Sequence, residues 1–195
     1  MSAPLLNASQ VEVISRAALR EWLTVNYQRS EGVWLVTYKK SEGSLYLSVP
    51  EIVQECLCFG WVDSLVRKLD ARRTMLYISP RKPGSNWSRV NKDHVAFLEK
   101  SGLMTEAGQA VVARAKSDGT WSALDEVENI VLPPDLAGAL AAAPGALENW
   151  DAFPRSVRRG ALEILLNAKR PQTRLRKINE IVECAVRNAR PFQWR

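Results

Sequence analysis

A polar segment rich in cations and amides, residues 80–91, is the part of the sequence best suited to bind an anion. It reads PRKPGSNWSRVN and is predicted to connect a strand to a helix. The first turn of a helix presents unpaired N–H groups and a partial positive charge, and Arg81 and Lys82 strengthen its preference for anions. The indole of Trp87 offers a face on which a base or sugar could stack.

We expect this segment to form most of a ligand-binding pocket. The predicted binding residues are Arg81, Lys82, Ser85, Trp87 and Asn91, with Lys39 and Asp63 orienting the ligand or one another. The alternative is a rigid structural loop, in which Ser85 or Ser88 caps the helix and Trp87 packs on the core.

Two carboxylates could divide acid and base roles. Glu55 and Asp63 flank the apolar run 56–62, and apolar surroundings raise carboxyl pKa values. Lys39 would then supply electrostatic support. The simpler interpretation is that both carboxylates form ion pairs with Lys39, Lys40 or Arg81. The sequence therefore assigns no catalytic residue and leaves open whether the protein is an enzyme.

No metal or cofactor site is expected. His94 is the only histidine, and the three cysteines include no pair with the spacing of a zinc site. Neither a glycine-rich dinucleotide fingerprint nor a Walker sequence occurs. An odd cysteine count, no secretory signal and no long apolar run predict a cytoplasmic protein that does not insert into a membrane.

The net charge of +6 is unevenly distributed. Residues 154–195 carry eleven Lys and Arg against three acids, whereas the rest of the chain is slightly acidic. This asymmetry, with a pI near 9.4, supports an alternative function in nucleic-acid binding through the basic loop and the C-terminal residues Arg174, Arg176 and Lys177. A protein-binding adaptor is a further alternative.

The predicted secondary structure that must position these residues changes from mostly strands in the first half of the chain to helices in the second. Strands are expected at 11–13, 33–39, 45–48, 61–66 and 74–79, with a hairpin turn at 41–44. Helices are expected after Ser15, Pro50, Ser88 and Thr105. The second half is predicted to be mostly helical, with no element assigned at 121–133.

This order of elements predicts an α+β fold, with a small antiparallel sheet from the N-terminal half packed with a mostly helical C-terminal half. We expect one domain over 1–195: a β-rich part at 1–80, a helical part at 81–195, and a C-terminal helical subdomain from about 133 to 195. Most of the seven tryptophans should lie in the core. The oligomeric state is left open.

Several short blocks of the sequence, taken in the same order along the chain, resemble one family of bacterial proteins. The blocks are 32–35 (GVWL), 38–40 (YKK), 57–63 (LCFGWVD), 80–83 (PRKP) with Ser85, Trp87, Ser88 and Asn91, and further single positions from Gly102 to Ile178. They are similar to the YdeI/OmpD-associated, or bacteriocin-protection, family. Cys56, Val62 and Lys177 depart from its usual alanine, isoleucine and arginine, but no charge or motif glycine is lost.

The resemblance implies a biological role rather than a reaction. The family is associated with bacterial resistance to antimicrobial peptides and bacteriocins and with an outer-membrane porin. For this sequence a cytoplasmic role in stress response or regulation is expected. The family's motif positions coincide with the polar segments described above, which favours a pocket built from the expected hairpin at 33–48 and from Cys58–Asp63 and Arg81–Asn91.

Overall fold

The computed structural model describes residues 8–192 and confirms the α+β class. The chain divides into two compact units, residues 1–122 and 123–195, which are described separately. The expectation of one domain with a helical subdomain from about 133 stays a prediction. Among residues 8–192, no helix has the length and apolar character needed to cross a bilayer.

The first unit contains a four-stranded sheet. Its strands are Gln10–Glu12 (β1), Val33–Tyr38 (β2), Trp61–Lys68 (β3) and Arg73–Pro80 (β4), in the order β1-β2-β4-β3. β1 runs parallel to β2, and the other two pairs are antiparallel. The predicted strands at 11–13, 61–66 and 74–79 are confirmed in type and approximate position.

The predicted hairpin between 33–39 and 45–48 is wrong. Lys40–Leu45 forms a 3-10 helix, and beyond it only Tyr46 bridges to Tyr38. The reason is local: Ser48 and Glu51 form a reciprocal capping box, with Pro50 in the first turn, so the chain enters a helix at Val49 instead of extending as a strand. β2 pairs instead with β1 and β4.

Four helices complete the first unit: Arg16–Asn26 (α1), Val49–Cys58 (α2), Arg89–Lys100 (α3) and Glu106–Ser117 (α4). The predicted caps Ser15, Ser88 and Thr105 each accept a hydrogen bond from a backbone N–H in the first turn. The core lies between one face of the sheet and the helices, and its fully buried members include Leu19, Leu35, Trp61, Ile78 and Leu98.

The beginning of α4 lies directly against the backbone at the end of α2. Thr105 Oγ1 donates to the Cys58 carbonyl at 2.5 Å, and the Thr105 N–H donates to the same oxygen at 3.2 Å. A Cβ atom at Gly108 would lie 2.3 Å from that oxygen. The close approach of these helices therefore depends on the missing side chain of Gly108.

The second unit is helical over its described residues. Its helices are Asp125–Glu128 (α5), Pro134–Ala142 (α6), Ala146–Ala152 (α7), Arg155–Leu166 (α8) and Pro171–Val186 (α9). They enclose a separate core around Leu140, Trp150, Leu165 and Ile181. Trp34, Trp61, Trp87 and Trp150 are buried, as expected for most tryptophans, whereas Trp194 lies outside the described residues.

Gly108 and Gly138, which both lie inside helices, give a matched pair for a stability test. We expect Gly108→Ala to destabilise the protein by about 1–3 kcal/mol, because the new methyl group overlaps the Cys58 carbonyl. Gly138→Ala in α6 meets no atom within 4 Å and should stabilise it by about 0.5–1 kcal/mol through helix propensity. Urea denaturation followed by circular dichroism measures both changes, and equal effects at the two positions would contradict the packing argument.

Candidate anion-binding groove

A groove of about 890 Å³ lies on the first unit, where β2 begins and β4 ends. Antiparallel pairing of Val33 with Ile78 brings the residues before β2 close to those after β4. The polar lining comprises the cations Arg29, Arg81 and Lys82, the carboxylate Glu31, and the hydroxyls of Ser9, Ser30, Ser64, Ser79 and Tyr77. Three cations against one carboxylate give the groove a positive character.

Arg81 is the most deeply buried cation that lines the groove. It is only 7% exposed, and its backbone N–H donates to the Gly60 carbonyl at 3.0 Å. Its Nη2 donates to the Asn86 carbonyl, whereas the buried Nε and Nη1 have no hydrogen-bond partner among residues 8–192. Burial lowers the pKa of Arg81 to about 10, an effect that the nearby Asp63 charge opposes. The side chain therefore remains cationic at neutral pH, with unused donors.

The Trp87 ring packs against the guanidinium of Arg81. Its ring is 2% exposed, and the Arg81 guanidinium carbon lies 3.7 Å from the ring centroid. Trp121 packs against Trp87 with its ring centroid 5.0 Å away. Because these neighbours cover the indole, Trp87 holds Arg81 in place by a cation–π contact.

The rest of the predicted loop is partly structural. Lys82 is exposed and lines the groove, and it also lines a much narrower cleft with Arg81 and Ser85. Ser85 Oγ donates to the Lys82 carbonyl at 2.7 Å, which tightens the turn. The Asn91 N–H donates to Ser88 Oγ in the first turn of α3. The structure thus brings Arg81 and Lys82 into the groove and places Asn91 in the helix cap.

Lys39 and Asp63 occupy different ends of the sheet. Lys39 Nζ donates to the carbonyls of Asp70 and Ala71, at 2.8 and 2.7 Å, in the turn between β3 and β4. That turn lies at the opposite end of β4 from Arg81. Asp63 pairs with Ile78 near the groove end of β4. Of these two predicted orienting residues, only Asp63 lies near Arg81.

Glu55 is fully engaged in ion pairs. Its side chain is 2% exposed, and its two oxygens accept from Arg16 Nε at 2.6 Å and Arg20 Nη1 at 2.9 Å. Arg20 Nη2 also donates to the Leu103 carbonyl. The predicted ion-pair role of Glu55 is confirmed, but its predicted partners Lys39, Lys40 and Arg81 are wrong. Glu55 pairs with the arginines of α1 instead, because α1 packs on α2 and places these side chains beside it.

The predicted binding segment supplies only residues 80–83 of the groove lining, so sequence reasoning missed most of the groove. Arg29, Glu31 and Tyr77 reach it only because β2 pairs with β4, and no local pattern reveals that pairing. A Cβ atom at Gly32 would lie 2.6 Å from the Tyr77 ring and from the Ile78 carbonyl. The bare glycine backbone therefore lets the Tyr77 ring pack at the groove.

The predicted C-terminal cations are largely neutralised. Arg174 makes a bidentate ion pair with Asp135 and also donates to the Leu165 carbonyl. Lys177 contacts Glu180 at 3.0 Å and lies over the Phe192 ring. Arg176 is exposed. Within residues 8–192, no group of three or more His, Cys, Asp or Glu side chains is placed to hold a metal ion.

Glu55→Gln tests the buried ion-pair network. We expect a loss of about 1–3 kcal/mol in unfolding free energy, because Arg16 and Arg20 lose their carboxylate in a buried setting but remain a third exposed themselves. The matched control Glu99→Gln, on an exposed face of α3, should change stability by less than about 0.5 kcal/mol. Equal midpoints for Glu55→Gln and wild type in a urea titration would show that the network contributes nothing.

Comparison with known families assigns both units. Residues 11–111 match a family described as Domain of unknown function (DUF8412), and residues 129–188 match the Bacteriocin-protection, YdeI or OmpD-Associated family. No curated protein and no solved structure matches the chain. The groove residues from Arg29 to Pro83 all lie in the first matched segment. The second match confirms the resemblance seen in the sequence. The first covers more than half of the chain, which therefore belongs to the DUF8412 family and carries a bacteriocin-protection, YdeI or OmpD-associated domain in its helical unit.

Proposed function

We propose that this protein binds an anionic ligand in the groove around Arg81 and Lys82. The observation that carries the proposal is the buried guanidinium of Arg81, whose Nε and Nη1 lack partners in the part of the chain that the structure describes. A buried charge is costly unless it is paired, and buried donors are normally hydrogen-bonded. An anion would supply the missing partner.

The contrast with other arginines supports this assignment. Arg16, Arg20, Arg73, Arg159 and Arg174 each contact a carboxylate within 3 Å. Among residues 8–192, by comparison, no carboxylate lies within ion-pair distance of Arg29, Arg81 or Lys82. The three cations that line the groove are thus available to an external anion.

The biological setting follows from the family of the second unit. We propose that anion binding serves bacteriocin or antimicrobial-peptide resistance, as part of a stress response in the cytoplasm. All three cysteines are free thiols, two of them buried, which fits a reducing compartment. No reaction is assigned to the groove.

Nucleic-acid binding by the basic loop together with the C-terminal residues remains the alternative prediction. Its support is weaker, because Arg174 and Lys177 already contact carboxylates. Only Arg176, of the three, is an exposed cation without such a contact in the described part of the chain. A binding surface for a phosphate backbone normally offers several unpaired cations.

Titration with inorganic phosphate at low ionic strength tests the proposal. We expect saturable binding by calorimetry and a rise in the thermal midpoint, because a ligand of the native state stabilises it. Lys82→Gln and Arg29→Gln should each weaken phosphate binding by about 3- to 10-fold, since each removes one charge-assisted contact. Arg81→Gln should abolish binding.

Lys100→Gln, which removes an exposed lysine at the end of α3, is the matched control and should bind like wild type. Phosphate affinity that is unchanged in Lys82→Gln and Arg29→Gln would refute the proposal even if Arg81→Gln fails to fold. Binding seen only with oligonucleotides, and lost in Arg176→Gln, would support the nucleic-acid alternative instead.

A further inference from the structure

Hydroxyl groups dominate the uncharged part of the groove. Those of Ser9, Ser30, Ser79 and Tyr77 make no hydrogen bond within residues 8–192, although all four residues line it. The hydroxyls of Ser15, Ser48 and Ser88, outside the groove, are used in helix caps. Each hydroxyl can both donate and accept a hydrogen bond, as the hydroxyls of a sugar do. The groove is therefore chemically suited to a ligand that carries several hydroxyls.

Glu31 limits the kind of anion that fits. Its exposed carboxylate lines the same groove and has no ion-pair partner among the described residues. A carboxylate repels an extended polyanion, but it accepts hydrogen bonds from hydroxyl groups. Cations beside such an acceptor favour a ligand with one anionic group and several hydroxyl donors.

The aromatic ring in the groove is held in a fixed position. Tyr77 packs edge-to-face on Trp34, with ring centroids 5.3 Å apart, and it closely approaches the backbone of Gly32. Because Tyr77 is only partly buried, it offers a rigid surface with an apolar body and a polar tip. Such a surface suits the mixed C–H and hydroxyl faces of a sugar ring.

We propose that the ligand of the groove is a phosphorylated sugar, with its phosphate at Arg81 and Lys82 and its hydroxyls at Ser79, Ser30 and Glu31. This inference rests on the proposed function and names its ligand class. The groove, at about 890 Å³, falls within the usual range of about 300–1,000 Å³ for small-molecule sites. A sugar phosphate uses both the unpaired cations and the unused hydroxyls.

Calorimetry with four probes tests the ligand class: glucose 6-phosphate, glucose, ethyl phosphate and inorganic phosphate. We expect glucose 6-phosphate to bind at least about 10-fold more tightly than ethyl phosphate, because the sugar adds several hydrogen bonds of modest net strength. Glucose alone should bind weakly, since it lacks the charged group.

Two variants separate the sugar contacts from the phosphate contacts. Ser79→Ala and Glu31→Gln should each lower the affinity for glucose 6-phosphate by about 3- to 10-fold, and should not weaken ethyl phosphate binding. Ser44→Ala, which removes an exposed serine in the 3-10 helix, is the matched control and should leave both affinities unchanged.

The outcomes distinguish the two proposals. If ethyl phosphate and glucose 6-phosphate bind equally, or if Ser79→Ala and Glu31→Gln weaken both ligands alike, the sugar inference is wrong and the anion site stands. If none of the phosphate-bearing probes binds, both proposals fail. Selective loss of the sugar phosphate in the two variants supports the assignment.

Discussion

The pairing of β2 with β4 is the constraint on which the first unit depends. Six successive residue pairs, from Val33 with Ile78 to Tyr38 with Arg73, form this ladder. One face of the ladder carries core residues such as Leu35 and Leu76. At the Val33–Ile78 end of this ladder, the loop before β2 lies beside the loop after β4, and the two loops line the groove. The same ladder separates Lys39 from Arg81 by the length of a strand.

Two buried charges in this unit are stabilised in different ways. Both oxygens of Glu55 are compensated by arginines, which form an ion-pair network between α1 and α2. Arg81 is compensated by the π-face of Trp87 and by a single backbone carbonyl. A ring offsets part of the desolvation cost of a guanidinium but satisfies none of its hydrogen-bond donors. This difference supports our proposal that Arg81 binds a ligand, whereas Glu55 has a structural role.

Charge pairing also distinguishes the two units. Arg159 and Arg174, in the helical unit that matches the bacteriocin-protection family, contact Glu128 and Asp135. These contacts link α5 and α6 to the long helices α8 and α9, so the net basic charge of the C-terminal segment overstates its capacity to bind phosphates. Within residues 8–192, cations that contact no carboxylate, with hydroxyls beside them, occur instead at the groove of the first unit.

The sequence by itself determined features that depend on near neighbours in the chain. The caps at Ser15, Ser88 and Thr105, the hairpin strands β3 and β4, the α+β class, and Arg81 and Lys82 as anion-binding candidates all follow from local patterns. Tertiary structure alone decided the rest. It buried Trp87 against Arg81 and brought Arg29, Glu31 and Tyr77 to the groove. The capping box that begins a helix at Val49, in place of the expected strand at 45–48, is itself a local feature that the strand prediction overlooked. The physical reason is that capping and helix periodicity act over a few residues, whereas strand pairing and burial depend on contacts between residues about 45 positions apart, such as Val33 and Ile78.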